Sequence, residues 1–523
     1  MSAYLPPHHV PGGIRLALCQ PLLTSRTYNF SNIRYAQPAV GDLRFRAPVP
    51  VGHGSSNLSH HVNNGSVGVI CPQPWMRFGD TAVSTWTFAH IQGQDLDLEA
   101  IRHSAVNQSE PPLDPRTSED CLFLDVIVPK KIFDDLKKGK KAPVLVWIFG
   151  GGHLLGALGF LCGPTLEAEG TPNAGLHDQR LALEWVRDNV HLFGGSAEHV
   201  TVMGESAGGG SVLHQLTAFG GRRGSPPFQQ IITQSAGFIP AGSRQAREEV
   251  LKDILTTANV PSLAELCKLP SERLIAANNI ITRQVYQGGF HPAVDGDFVP
   301  QEVSQLLLSG KFSHIHALIG MNAAEGVLFG DPRINTTSAY ADLIETVVPG
   351  ITDASSTYIQ NTLYPPIFDG SQGYTNNFER AYLLFQEFVF TCNQPFTSKG
   401  LNSTTNNYQF AISPGIHSQD LGFTFYRGAP IDPSGAPFPP SSATDDAATR
   451  LLQTWIASFV TRGKPAAPQT IPFEPYGSKG NLIVLEDHGN SPYVKRGVDP
   501  TILPGRCTWL AQAIQNQTLY EKS

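Results

Sequence analysis

Long apolar runs are missing from this 523-residue chain. None approaches the roughly 18 residues that a membrane-spanning helix needs, so a transmembrane segment is not expected. Charge is sparse as well: 15% of residues are charged, the net charge is −7, and the only lysine-rich stretch is Lys137 to Lys141. A protein without a basic stripe lacks the electrostatic footprint of a nucleic-acid binder. Cysteine is scarce at 7 residues, and no C-x-x-C occurs, which excludes the common zinc spacings. No basic segment followed by an apolar core opens the chain, and Arg15 to Leu23 is too short and is broken by Gln20-Pro21. On the residues alone the chain is intracellular or its true start lies upstream. Seven N-x-S/T sequons, at Asn29, Asn57, Asn64, Asn107, Asn335, Asn402 and Asn516, point instead to the secretory pathway. The terminal Leu-Tyr-Glu-Lys-Ser is polar, so no lipid-anchor tail is expected.

Glycine is abundant, with 50 residues, and its densest functional use lies between Val200 and Leu213. Val200 to Met203 reads as a short buried strand, and Val212, Leu213 and Leu216 read as the apolar face of a helix. At their junction stands Gly204-Glu205-Ser206-Ala207-Gly208, a G-x-S-x-G. A strand-to-helix turn this sharp would drive flanking side chains into one another, hence glycine on both sides of the serine. The turn presents Ser206 Oγ over the sheet edge, and the new helix aims N–H groups at any anion formed there. A glycine-rich chain produces the bare pattern readily by chance; the strand before it and the helix after it make Ser206 a candidate nucleophile.

Other segments alternate between strand and helix character. Leu122 to Val128 and Val144 to Phe149 read as strands, the second apolar on both faces and running into Gly150-Gly151-Gly152. Bare glycine N–H groups at the end of a buried strand suit an oxyanion hole. Residues 176–193 form an amphipathic helix ending at Gly194-Gly195. Strands are expected at 228–234, 317–321 and 408–413, with helices over much of 241–285 and 375–400 and at 447–459 and 506–517. Repeats and separating linkers are absent, so the reading is an α/β fold with a mostly parallel sheet, one domain over residues 1–523. Trp75, Phe78, Trp86 and Phe88 read as loop packing, with a pocket-lining flap as the alternative.

A serine nucleophile needs a base, which an acid must orient. After Ser206 the histidines are His214, His291, His314, His316, His417 and His488, and spacing does not choose among them. Context favours His417, in a turn after a strand, and Glu325, just beyond the strand at 317–321. Both sit where the carboxyl edge of a sheet presents its side chains. A solvated loop carboxylate and an ordinary turn histidine are equally good readings of the same residues.

The chain resembles the type-B carboxylesterase/lipase family, which includes the cholinesterases, and most of all its fungal members. The resemblance rests on Gly41-Asp42-Leu43-Arg44-Phe45, Ser118-Glu119-Asp120-Cys121-Leu122, Gly150 to Gly152, Asp178-Gln179 through Trp185-Val186, Phe193-Gly194-Gly195 and Gly204 to Gly208, in that order. It implies an α/β-hydrolase fold with helices on both faces of the sheet. It also implies a Ser206–His417–Glu325 triad and an oxyanion hole from Gly151, Gly152 and Ala207. Further implications are disulfides Cys71–Cys121 and Cys392–Cys507, free Cys19, Cys162 and Cys267, a structural ion pair between Arg44 and Glu119, and secretion. The expected substrate is a small-molecule carboxylic ester, with no metal and no organic cofactor; acyl preference and oligomeric state are not legible.

One departure stands out. Between Gly152 and Gly159 the family carries a further core strand, and on the order of 30 residues, crossover included, are missing here. Three consequences are expected: a sheet short of one strand after Gly152, an Asp178 without its arginine partner, and an oxyanion loop anchored on one side only. A non-catalytic relative is therefore the rival reading, and a peptidase on the same fold a second.

Overall fold

A computed structural model of the chain describes residues 26–519, apart from 53–67, 74–85, 88, 91–92, 95–96, 98–112, 154–155, 240–242, 285–289, 427–442, 489–490 and 503–504. The strands are β1 (Thr27–Arg34), β2 (Phe123–Pro129), β3 (Ala142–Ile148), β4 (Gly195–Glu205), β5 (Gln230–Gln234), β6 (His316–Asn322), β7 (Asn406–Ala411), β8 (Asn481–His488) and β9 (Ser491–Val498). The helices that matter for the site are α1 (Ala174–Asn189), α2 (Ala207–Thr217), α3 (Gln419–Thr424), α4 (Ala443–Arg462) and α5 (Arg506–Gln515). Strands β3 to β9 form one sheet in sequence order, parallel from β3 through β8 and closed by the antiparallel β8–β9 hairpin. That hairpin is an addition to the elements expected from the sequence.

Period-two alternation divides the strand side chains between two cores. Val200, Val202, Ile231 and Ile319 point to one face and meet Leu183 and Val186 of α1, Val212, Leu213 and Leu216 of α2, and Leu510 of α5. Met203, Ile232, Leu318 and Tyr408 point to the other and meet Leu452, Trp455 and Phe459 of α4. Trp455 is fully buried. Its area alone contributes about 2–3 kcal/mol of apolar transfer free energy. A further core, with Leu251, Ile254, Leu274 and Ile281 from the helices between β5 and β6, packs on Phe160, Leu161 and Leu176.

The remaining strands stand apart. β1 and β2 make a two-stranded antiparallel sheet that is not joined to the larger one. The seam lies beside β3, the strand that leads into Gly150–Gly152, where the sequence is short of a strand. α1 bridges it: Trp185 belongs both to the core under β3 and to the clusters under the hairpin. Asp178, earlier on the same helix, has burial as the one cause acting on its carboxyl, which is pushed up to about 8. It keeps some solvent contact, so the penalty is smaller than that of a fully enclosed charge.

This carboxyl makes stability pH-dependent in a defined direction. Its folded pKa lies above the ordinary aspartate value of about 3.9, so the folded state holds the extra proton between those limits. Stability is therefore lost as pH rises from about 4 through about 8. Asp178→Asn is expected to be near neutral at pH 4.5 and stabilising by about 2 kcal/mol at pH 9. Thermal melts of both proteins across that range check this; a difference that does not change with pH overturns it.

Candidate active site

Six buried residues of β4, Val200 to Glu205, carry the chain into Ser206, which turns it abruptly into α2. Ser206 has φ 56° and ψ −126°, a conformation that costs a non-glycine residue about 1–3 kcal/mol. Hydrogen bonds hold it there: its N–H donates to Gln234 O (3.0 Å), and its carbonyl accepts from Gly210 N and Gly237 N (2.9 Å each). The glycines flanking it are required by contact. A Cβ at Gly204 would lie 2.4 Å from Gly208 O, and one at Gly208 would lie 2.2 Å from Ile148 O. The triple-glycine loop is equally close: a Cβ on Gly150 would meet Glu205 O at 2.7 Å and Ser206 Cβ at 3.0 Å.

The loops after β6 and β7 bring two distant residues to this serine. They are tied together by Ala324 N–H donating to Gly415 O (2.7 Å). His417 Nε2 lies 2.9 Å from Ser206 Oγ, and His417 Nδ1–H donates to Glu325 Oε2 at 2.6 Å. Glu325 is wholly buried, and its other oxygen accepts from Ser235 Oγ and from the Asn322 N–H, both at 2.6 Å. Such an acid fixes the tautomer of the imidazole and leaves Nε2 free to accept the serine proton. Phe390 and Phe329 pack on the His417 ring, with centroids 4.3 and 5.2 Å away.

Two further carboxyls complete the electrostatics, and sequence reasoning missed both. Glu205, the residue before the serine, places Oε1 3.4 Å from His417 Nε2 and accepts from Ser418 Oγ at 2.6 Å. Burial, opposed by His417, pushes it up to about 7. Asp420, three residues past the histidine, is pushed up to about 6, mainly by burial, while accepting from Asn322 Nδ2 (3.1 Å) and Gln234 Nε2 (2.7 Å). Burial pulls the His417 imidazolium down, yet Glu205 and Glu325 together raise it above the ordinary histidine value. The signal for Glu205 was its place inside the G-x-S-x-G, where a buried acid lies beside the histidine that answers the serine.

Gly151 (φ 98°) and Gly152 (φ 65°) adopt positive φ, and Ala207 is the first residue of α2. Among the described residues none of these three N–H groups donates to a loop or side-chain acceptor. The other candidate histidines go elsewhere: His214 Nδ1 bonds Gly210 O inside α2, His316 opens β6 and His488 ends β8. Arg44 makes a buried two-pronged pair with Glu119 and also donates to the carbonyls of Cys267 and Leu269, a structural clamp away from the serine. Disulfides join Cys71 to Cys121 and Cys392 to Cys507, and Cys162 and Cys267 are free. Trp86 stacks on His90 and packs edge-on against Phe378. Trp75, Phe78, Phe88, Cys19 and the sequons at Asn57, Asn64 and Asn107 lie outside the described residues. Among the described residues no group of three or more His, Cys, Asp or Glu could hold a metal ion.

Comparison with known proteins gives a consistent result. The model of the Carboxylesterase family matches residues 19–157 and 153–496, two segments that meet where the sequence is short of a strand. The carboxylesterase patB of Penicillium expansum is 34% identical over 94% of this chain and 92% of its own length. A secreted lipase of Arthroderma benhamiae is 27% identical over 87% of this chain and 84% of its own. Among solved structures, EstA of Aspergillus niger superposes with a TM-score of 0.75 at 21% identity, covering 96% of this chain and 98% of that one. The architecture is thus that of the α/β-hydrolase esterases.

Proposed function

Because this chain belongs to the carboxylesterase family and is a carboxylic ester hydrolase, we propose that it cleaves small-molecule esters through an acyl-enzyme formed on Ser206. The observation that carries the reading is the continuous hydrogen-bonded line from Ser206 Oγ through His417 to Glu325, at 2.9 and 2.6 Å. In the proposed sequence His417 Nε2 takes the serine proton as Oγ attacks the ester carbonyl. The N–H groups of Gly151, Gly152 and Ala207 receive the oxyanion. His417 then protonates the leaving alcohol, which departs as the acyl-enzyme forms. A water, deprotonated by the same imidazole, attacks the acyl carbon, and Ser206 regains its proton as the acid leaves. Glu325 and Glu205 stabilise the imidazolium present at each crossing. This chemistry calls for no metal or organic cofactor, and the whole chain acts as one α/β-hydrolase unit.

An extracellular setting is part of the proposal. Two disulfides, the exposed sequon residues Asn29, Asn335, Asn402 and Asn516, and the secreted relative support it.

A fluorophosphonate probe tests the assignment directly. The expected result is one adduct per chain, on the peptide carrying Ser206, with parallel loss of p-nitrophenyl ester hydrolysis. Hydrolysis that persists in the absence of an adduct, or an adduct on another serine, would sink it. A second expectation concerns pH. Hydrolysis needs neutral His417, whose pKa the nearby carboxyls raise against the effect of burial. Glu205→Gln removes one of those charges, so the acid limb of kcat/KM is expected to move to lower pH. Because Glu205 itself is held near 7, the wild-type limb belongs to the pair rather than to either residue. Profiles from pH 5 to 9 decide it, and a limb that stays in place or rises counts against the role given to Glu205.

A further inference from the structure

The seam between the hairpin and the large sheet leaves two strand edges open. Among the described residues β3 pairs only with β4, and β2 pairs only with β1. Both lie beneath α1, since Trp185 shares a core with Val144 and Val146 of β3 and another with Leu124 and Val126 of β2. Val144 and Val146 face α1, so alternation turns Leu145 to the opposite face, and the same argument turns Ile127 outward from between Val126 and Val128. These outward residues are conspicuously bare: Ile127 is 62% exposed, Leu145 44% and Phe149, at the end of β3, 60%.

The helix side of the seam carries an ionisable carboxyl. Leu181, Ala182 and Trp185 pack on the hairpin cluster around Tyr35, Leu122 and Leu124. Asp178 precedes them by three, four and seven residues, the spacing of one helix face, so it lies on the same stripe. Tyr35, in that same cluster, has its hydroxyl pushed up by burial and then by Asp178, and among the described residues no cation acts on the Asp178 carboxyl.

We propose that the seam between β2 and β3 is a receptor for one extended peptide strand, apolar on both faces and carrying a single arginine or lysine turned toward Asp178. Unpaired N–H and C=O groups on strand edges are templates for strand addition. A strand at the edge of another folded copy already has a neighbour and could satisfy only one of the two edges; an isolated strand satisfies both. Alternate side chains would extend the α1-side core and cover Ile127 and Leu145, while the cation answers Asp178.

The test uses the full chain and two fluorescein-labelled nonapeptides of alternating valine and alanine, apolar on both faces, one with arginine at its centre and one with glutamine. Anisotropy titrations at pH 8.5 are expected to show saturable binding, with the arginine peptide at least tenfold tighter. Asp178→Asn, checked for an unchanged melt at low pH, is expected to bring the arginine peptide to the level of the glutamine one. Leu145→Lys is expected to weaken both. Absence of saturable binding, or equal binding of the two peptides to the unaltered chain, overturns the proposal. Binding that appears only when residues 1–25 are removed overturns it in favour of the chain's own leading segment. A dimer by sedimentation that Leu145→Lys dissociates, with no peptide bound, overturns it in favour of a second copy.

Discussion

Ser206→Ala is expected to lower kcat for p-nitrophenyl butyrate by about 10⁵–10⁶-fold while leaving KM within a few-fold of the parent. The asymmetry follows from what the side chain does. In the proposed mechanism its Oγ forms the acyl-enzyme, but it adds almost nothing to the surface that would hold the substrate. The backbone at Ser206 is held by three backbone hydrogen bonds that alanine retains, so the elbow and its N–H donors persist. Some turnover above the solvent rate should therefore survive, from the oxyanion donors and binding alone. Steady-state kinetics beside a thermal melt provide the check. A variant within tenfold of the parent in kcat would place the nucleophile elsewhere, and the hydrogen bond from Ser206 to His417 would then be structural.

How far the sequence could reach is visible in these residues. Ser206 is local: a strand, a glycine-flanked turn and a helix follow one another without a break between Gly195 and Thr217, and steric need explains the glycines, as the Cβ contacts at Gly204 and Gly208 show. His417 and Glu325 are not local. They stand 211 and 92 positions from their partners in the chain of hydrogen bonds, and nothing periodic links them. Resemblance to a family singled them out; spacing left six histidines open. Glu205 showed only as a position inside the G-x-S-x-G, and Asp420 and Ser235 were invisible, because a buried polar residue carries no pattern of its own. Its role comes from groups brought to it by other strands, such as Asn322 and Gln234 around Asp420. The β8–β9 hairpin was missed for a plainer reason: the apolar run Leu482 to Leu485 could belong equally to a short strand or a helix segment.

The shortage after Gly152 was legible as a gap in the chain, and so was the one-sided anchoring of the oxyanion loop; that the rest of the site would keep its strand pairing was not. The seam falls on the far side of β3 from the residues proposed to carry the chemistry. Ser206 follows β4, Glu325 follows β6 and His417 follows β7, and every pairing from β3 through β7 is continuous. The hydrogen-bonded line from Ser206 through His417 to Glu325 therefore survives. What the seam weakens is the support of β3, the strand that aims Gly150–Gly152 at the serine. An impaired enzyme, if this chain is one, should then be deficient in oxyanion stabilisation and not in nucleophile activation, and it should still take a fluorophosphonate label.

Gly208→Ala puts this division to the test, and its expected effect on folding is the largest of any single substitution at the elbow. Alanine favours helix over glycine by about 1 kcal/mol, so propensity alone predicts a more stable α2. Contact predicts the reverse. The added Cβ would sit 2.2 Å from Ile148 O and 2.7 Å from Phe149 O, both backbone atoms that no side-chain rotation can move aside. Either α2 lifts from the sheet or the end of β3 is pushed away from it. β3 is the softer side, because only β4 pairs with it among the described residues. We expect a net loss of about 3 kcal/mol or more in urea unfolding. We also expect kcat to fall by about 10²–10³ as the glycine loop retreats from the oxyanion, with Ser206 still labelled by the fluorophosphonate. Stability and kcat both close to the parent would mean that the elbow tolerates a methyl group where its backbone contacts say it cannot. Loss of labelling along with activity in a folded variant would mean that the clash disturbs the serine itself, and that β3 is held more firmly than its open edge implies.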